Sequence, residues 1–542
     1  MQINRRWILL ILLLVAVASL YGQFLHNPIV FDDLVFFMLD GDGHSAIQKF
    51  SNPSVFDLRA LPYATLAWTS QLWGFGLAPL RIENLLMHWL VVVALDLFVL
   101  SLYRTVLPGI KCGKNTSMAT AVAIAVFLFA LHPVAVYAVG YLVQRSTVMA
   151  TLFGVLCLWT YLKGSTENRK AWLWASVFLY FMATHSKEHI VMLPMVIVAM
   201  TVLTHDDWEK QLRSNWPVFA SYAAIALLTV AQIKGVLGHP YEIHSGEMLV
   251  GDLSEHALFY SILTQCGLFF KYGLLWLLPN PGWMSVDMRE PFANGFFSIY
   301  GAALIAYCLY GVLAIRLLLK RGSYGLIGFG LLFPWLMFAT EFSTVRIQEI
   351  FVLYRSYIWA LGGVILFPWF LMQLNSRLTI LVSVLVAATL FVVSMERLVS
   401  FSHPIVLWDD AEKLVRGRTG LPGAGRIYFN RGLEYSKAGM LDRALPDLET
   451  ATRLMPELSA AFGNLGDVYY RMRQNKLAIQ ALSRAIMLDQ EQKSPPNFKR
   501  YYTRAEAYEA DGRWREAVAD YKVSCFLNGK IGCNKIVPSL KQ

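Results

Sequence analysis

Charge is what this sequence has least of. Asp, Glu, Lys and Arg make up 15% of its 542 residues, against 56% hydrophobic, whereas soluble chains carry roughly 25% charged residues. That shortage excludes an ordinary soluble protein. Cysteine is scarce as well, with 6 in all and no CxxC or His–Cys spacing of the kind that holds zinc. Cys112, Cys157, Cys266 and Cys308 fall in or beside apolar segments and read as packing residues. Cys525 and Cys533, close together near the C-terminus, are placed to pair in an oxidising compartment. The formal net charge of +10 does not point to nucleic acid. Most Lys and Arg before residue 400 sit in short loops between apolar runs, not along a stripe that would follow a phosphate backbone.

Apolar runs are what is there instead. They fall at 7–25, 84–107, 117–140, 144–162, 171–184, 189–204, 215–235, 257–279, 296–319, 324–340, 354–373 and 378–395. Several reach the ~20 residues a helix needs to cross a ~30 Å hydrocarbon core. After about Ser400 the composition turns charged and mixed, with no run long enough to span. The expected fold is all-α: a polytopic helical membrane domain over 1–400, a linker over 401–423 and a soluble region over 424–542. Arg5 and Arg6 precede the first run, which places its N-terminus in the cytoplasm. Ala16-Val17-Ala18 resembles a signal-peptide cleavage site, although cleavage would leave the sidedness of the rest unchanged. Segment 257–279 carries Ser261, Thr264, Gln265 and Lys271 and stops at "LPNPGW", so a re-entrant or surface-lying helix is expected there. Eleven crossings remain, and the soluble region then lies on the non-cytoplasmic side.

The tail repeats itself with a period near 34 residues. Small residues recur at Gly432, Gly466 and Ala505, and again at Ala444, Ala478 and Ala517. This is the tetratricopeptide pattern of paired helices, in which small side chains let one helix approach the next. Three such units over 424–542 predict a short α-solenoid with a concave face suited to a protein or peptide partner.

Polar chemistry gathers on one side of the predicted membrane domain. "NPIVFDDLVFF" sets Asp32 and Asp33 side by side among apolar neighbours, a costly arrangement that calls for a partner or a task. Arg59, Arg145, Lys187, Arg346 and Arg355 are expected on the same face, with His132, His185, His189, Glu188, Glu341, Glu349 and Asp287 filling out the set. A cation at a helix N-terminus opposes the macrodipole, so Arg145 and Arg355 are not placed for helix stability. A bound phosphate explains them better, because guanidinium forks match its oxygens. No cofactor is implied, and a divalent metal is not favoured. His185 and His189 stand four apart, but the intervening Lys187 and Glu188 suit an ion-pair network. A sugar on a polyprenyl phosphate has a leaving group that needs cations and no proton. The acceptor hydroxyl needs a base, and the acid pair supplies one.

The segments "RALPYATLAW", "ENLLMHWL", "LHPVAVYAVGYLVQRSTVMATLFGVL", "SKEHIVMLPMV" and "EIFVLYRSYIWAL", followed by the repeats, resemble the GT-C membrane glycosyltransferases. Within that class the resemblance is to the transmembrane-and-tetratricopeptide-repeat protein O-mannosyltransferases and their bacterial relatives. It implies inverting transfer from a polyprenyl-phosphate-linked sugar to a protein hydroxyl. Asp32 and Asp33 match the family's first-loop acid pair, and Arg145, Lys187 and Arg355 match its donor-phosphate contacts. Two other readings stand beside this one. One is a transferase that moves a whole lipid-linked oligosaccharide or modifies a glycan, and the other is a non-enzymatic membrane scaffold or transporter. The Arg-led start and compact size point to a bacterial inner membrane with the repeats in the periplasm, with the endoplasmic reticulum as the alternative.

Overall fold

The computed structural model describes residues 2–38, 45–54, 56–74, 76–110, 114–236, 255–528 and 530–539; Cys112 lies outside them. The described residues are all-α, with two isolated bridges, Asn115 with Asn375 and Met288 with Phe351, and no strand. The chain divides into two units, Met1–His403 and Pro404–Gln542.

In the first unit the apolar runs are helices. Seven of those described are long and apolar enough to cross a membrane: Leu77–Val106, Leu142–Thr166, Trp216–Ile233, Ala257–Leu277, Ile299–Leu319, Gly322–Phe342 and Ser376–Ser400. An eighth is added if Met118–Ala130 and Pro133–Val139, bent by 61°, count as one. Pro133 has no N–H to donate back into the preceding turn, so the chain breaks before it and restarts. His132 caps the new helix, its Nδ1 accepting the Val134 N–H at 3.3 Å. The eleven crossings expected from sequence include shorter apolar segments as well. Lys170–Thr184, Leu193–Thr204 and Leu361–Leu371 form helices of 15, 12 and 11 residues, each alone short of a ~30 Å core.

The segment expected to dip or lie flat forms the continuous 21-residue helix Ala257–Leu277. Three of its polar side chains serve neighbouring backbone, and Lys271 pairs with Glu290. Ser261 accepts the Arg346 N–H at 2.9 Å, Thr264 accepts the Ala293 N–H at 2.8 Å, and Gln265 donates to the Ile350 carbonyl at 2.8 Å. Elsewhere a missing side chain sets the packing. A Cβ on Gly328 would strike the backbone of Leu318 and Ala314, so Ile299–Leu319 and Gly322–Phe338 touch backbone to backbone.

The second unit is a helical solenoid. Residues 401–423, expected to be a linker, contain the helix Pro404–Val415, which packs on the first repeat. Leu407, Trp408, Ala411 and Val415 are buried, and their spacing puts them on one helical face. Three helix pairs follow: Ala424–Lys437 with Leu441–Leu454, Ser459–Arg471 with Asn475–Glu491, and Phe498–Ala510 with Trp514–Asn528. The recurring small residues lie where the pairs meet. A Cβ on Gly432 would come 2.9 Å from Leu448 Cγ, and one on Gly466 2.6 Å from Leu482 Cγ. Cys525 and Cys533 form a disulfide that ties the last helix, Cys533–Ser539, to the third pair.

Candidate active site

Two helix starts build one wall of the site, and each begins at a bulky residue in left-handed backbone: Phe31 with φ 54° and Arg59 with φ 55°. Such conformations cost of order 1–3 kcal/mol and persist only where the surroundings impose them. The turn at Phe31 splits the acid pair. Asp33 is fully buried. Its Oδ1 accepts the Val143 N–H at 2.9 Å and its Oδ2 the Leu142 N–H at 3.4 Å. Burial pushes the Asp33 carboxyl up to about 7, against the pull of these two N–H groups and of Arg81. It braces the turn at 142–143. Asp32 instead lines a cavity of about 450 Å³. Its backbone N–H donates to Tyr141 Oη at 2.7 Å, and the same phenol bonds the Asp32 side chain.

Four of the five expected cations line that cavity with Asp32: Arg59, Lys187, Arg346 and Arg355. Arg59 forms a fork on Glu188, Nη2 to Oε1 at 2.6 Å and Nε to Oε2 at 3.1 Å. Arg355 reaches Glu341 at 3.0 Å and Glu349 at 2.8 Å, and Arg346 lies 3.3 Å from Glu341. His189 stands between Glu188 at 3.3 Å and Glu341 at 3.5 Å, so the two carboxylate–guanidinium groups flank one imidazole. Lys187 differs in that its direct partners are neutral. Its Nζ donates to Gln144 Oε1 and Thr147 Oγ1, both at 2.7 Å, and sits 4.6 Å from the Tyr354 ring centre. Burial, and then Arg59 and Arg355 nearby, hold the Lys187 ammonium well below the ordinary lysine range. An arriving anion relieves that repulsion.

The remaining expected site residues lie elsewhere. Arg145 is fully buried in a structural knot. Its Nε donates to Asn84 Oδ1 at 2.7 Å, its Nη1 to Glu83 at 2.7 Å and Thr65 at 3.2 Å, and its Nη2 to the Leu80 carbonyl at 2.8 Å. The charge at this helix start thus serves the helices Ala60–Trp73 and Leu77–Val106 rather than the cavity. His132 caps its helix and stacks on Trp276, ring centres 4.3 Å apart. His185 bonds the Phe181 carbonyl, and Asp287 pairs with Arg289 at 2.8 Å. Among the described residues, no three His, Cys, Asp or Glu side chains converge as a metal-holding group.

Sequence reasoning passed over Tyr141, Gln144, Tyr354, Phe36 and Tyr63. Gln144 and Tyr354 immediately precede Arg145 and Arg355, so the same turns that drew notice to the cations carried them.

These elements define an all-α chain whose second unit is a helical-repeat solenoid. Residues 425–457 and 459–492 match the family model described as Tetratricopeptide repeat, so the tail carries tetratricopeptide repeats. No curated protein matches the chain. Among solved structures it is similar to a chain of "Crystal structure of APC/C hetero-tetramer Cut9-Hcn1", at 12% identity, covering 89% of this chain and 83% of that one, with a TM-score of 0.23. A superposition that loose carries no argument about this protein.

Proposed function

We propose that this protein is a GT-C-type membrane glycosyltransferase that moves a sugar, with inversion, from a polyprenyl-phosphate-linked donor to a hydroxyl of a protein acceptor. The observation that carries this reading is the meeting of Asp32 with Arg59, Lys187, Arg346 and Arg355 around one cavity. Asp32 takes the proton of the acceptor hydroxyl as its oxygen bonds to the anomeric carbon. The bond from that carbon to the phosphate oxygen breaks, and the polyprenyl phosphate leaves with the electron pair. The cations receive the charge that develops on the leaving phosphate. Lys187 is the first candidate to meet the phosphate, because its hydrogen-bond partners carry no charge to compete for it.

In this reading the apolar helices of the first unit span a bacterial inner membrane. The cavity opens to the periplasm, and the repeats hold the acceptor in that compartment. The test is Asp32→Asn. Mass spectrometry of proteins from cells making this variant should show the glycan lost, while thermal stability and donor binding stay as in the wild type. Unchanged transfer by Asp32→Asn overturns the reading. The tetratricopeptide match favours a second one, a membrane scaffold, in which Asp32→Asn leaves partner recruitment and every phenotype intact.

A further inference from the structure

The acid and the first cation of the cavity are built the same way. Each follows or occupies a left-handed residue at a helix start, and each is followed four residues later by an aromatic ring: Asp32 by Phe36, Arg59 by Tyr63. Residues four apart lie one above the other on a helix. Both rings therefore sit one turn below the group that does chemistry, and both line the cavity. Their centres are 4.9 Å apart, and Phe50 closes behind them at 5.0 Å from Tyr63. A hydrogen bond from Arg59 Nη1 to the Tyr63 hydroxyl, 3.4 Å long, fixes the second ring to its cation. The result is an aromatic floor running from beneath the carboxylate to beneath the guanidinium.

Packing accounts for Tyr63, which is buried, but not for Phe36. Phe36 is only half-buried, and its neighbour Val35, also on the cavity, is 70% exposed. On the other side of the same short helix, Asp33 and Phe37 are buried in the protein. The helix therefore turns one aromatic inward for the core and holds the other out to the cavity.

We infer that Phe36 and Tyr63 form the platform on which the transferred sugar ring lies, an inference that rests on the transfer reading above. Displacement with inversion requires the anomeric carbon to sit between the incoming hydroxyl, at Asp32, and the departing phosphate, at the cations. The floor runs from Asp32 toward one of those cations, Arg59. A pyranose ring presents a face of C–H bonds carrying slight positive charge, which suits the negative face of an aromatic ring. The platform selects a sugar with an uninterrupted C–H face and holds it flat while its polar edge stays free for the chemistry.

The experiment uses the full chain in detergent and compares the affinity for farnesyl phosphate with that for farnesyl phosphate carrying glucose or mannose. In the wild type at least one sugar should tighten binding. Phe36→Leu and Tyr63→Leu should each lower that sugar increment by roughly 3- to 10-fold. Tyr63→Phe should keep it, with each Tyr63 variant's increment taken against its own affinity for bare farnesyl phosphate because both lose the hydrogen bond to Arg59, and Phe36→Leu should bind bare farnesyl phosphate as the wild type does. If Phe36→Leu loses bare farnesyl phosphate binding it has misfolded, and Phe36→Met, which keeps the bulk without the ring, decides in its place. An unchanged increment in the ring-less variants, or no increment for either sugar in the wild type, overturns the platform and leaves the transfer reading standing. A wild type that binds no farnesyl phosphate overturns both.

Discussion

Asp32 and Asp33 are neighbours in sequence and opposites in the fold. One faces the cavity, and the other accepts two backbone N–H groups where no solvent reaches. Their different roles give different experimental signatures. Asp33 titrates near 3.8 in the unfolded chain and at about 7 when folded, so between those values the folded state binds the extra proton. Its contribution to stability is complete below about pH 4 and is lost as the pH rises through 7. Asn cannot ionise, so Asp33→Asn removes that dependence. Melting temperatures measured from pH 4 to pH 7 should show the wild type losing ground steadily to Asp33→Asn. A constant gap between the two would mean that Asp33 does not carry the proton. At this scale the sequence revealed the kind of chemistry but not the division of labour, because adjacent residues in a tight turn point apart in directions that only the turn decides. Arg145 makes the same point. A cation at a helix start suits an anion, and Arg145 has one within the chain, Glu83 at 2.7 Å.

Among the elements, the repeats were the most legible, because their small residues recur in register and the helices must meet there. The pairing of charges between them was not. In the first repeat Arg431 forks onto Asp447 at 2.7 and 2.8 Å, and in the third Arg504 forks onto Asp520 at 2.6 and 2.8 Å. The second repeat has Leu465 and Ala481 at the matching positions, both buried. Charge pair and apolar pair thus occupy the same slot. Replacing a buried ion pair by apolar groups is often neutral or better, whereas removing one partner leaves a stranded charge. Asp520→Ala should therefore cost about 3 kcal/mol, and the double change Arg504→Leu with Asp520→Ala should recover most of it. Hydrogen exchange of the amides in Phe498–Ala510 and Trp514–Asn528 reads this locally in the full chain. Equal exchange in the single and double variants would show that the fork is not what holds the third repeat. The apolar segments were legible as helices, but the breaks within them were not. Hydropathy finds a run of suitable composition, while the length that counts is set by where Pro133 or a turn such as that before Leu361 interrupts it.

For the whole molecule, the decisive question is which side of a membrane the proposed chemistry faces, and the first unit carries an internal answer about its two ends. The helix Leu77–Val106 begins beside Arg145 and the cavity turns, where Leu80 and Glu83 bind that side chain. Its 30 residues extend about 45 Å at 1.5 Å per residue. The loop after its far end meets residues 374–376: Thr116 donates to the Leu374 carbonyl at 3.0 Å and Ser376 to that of Lys114 at 3.3 Å. The stretch from Arg355 to Leu374 therefore runs the full thickness of the unit, although Leu361–Leu371 alone is too short to do so. Ser376–Ser400 then returns, since the Leu398 carbonyl accepts from Asn27 at 3.2 Å, close to the Asp32 turn. The first unit thus ends at the same end at which its cavity lies. With Arg5 and Arg6 keeping the first helix's start in the cytoplasm, that end is the non-cytoplasmic one in the proposed reading. Alkaline phosphatase fused after Gln542 should then be active and a green fluorescent protein dark. Cys525 and Cys533 should also resist maleimide until a reductant is added. An active cytosolic reporter at the C-terminus would place Asp32 and its cations on the side where the donor's sugar is not presented, and the proposed transfer would fall with it.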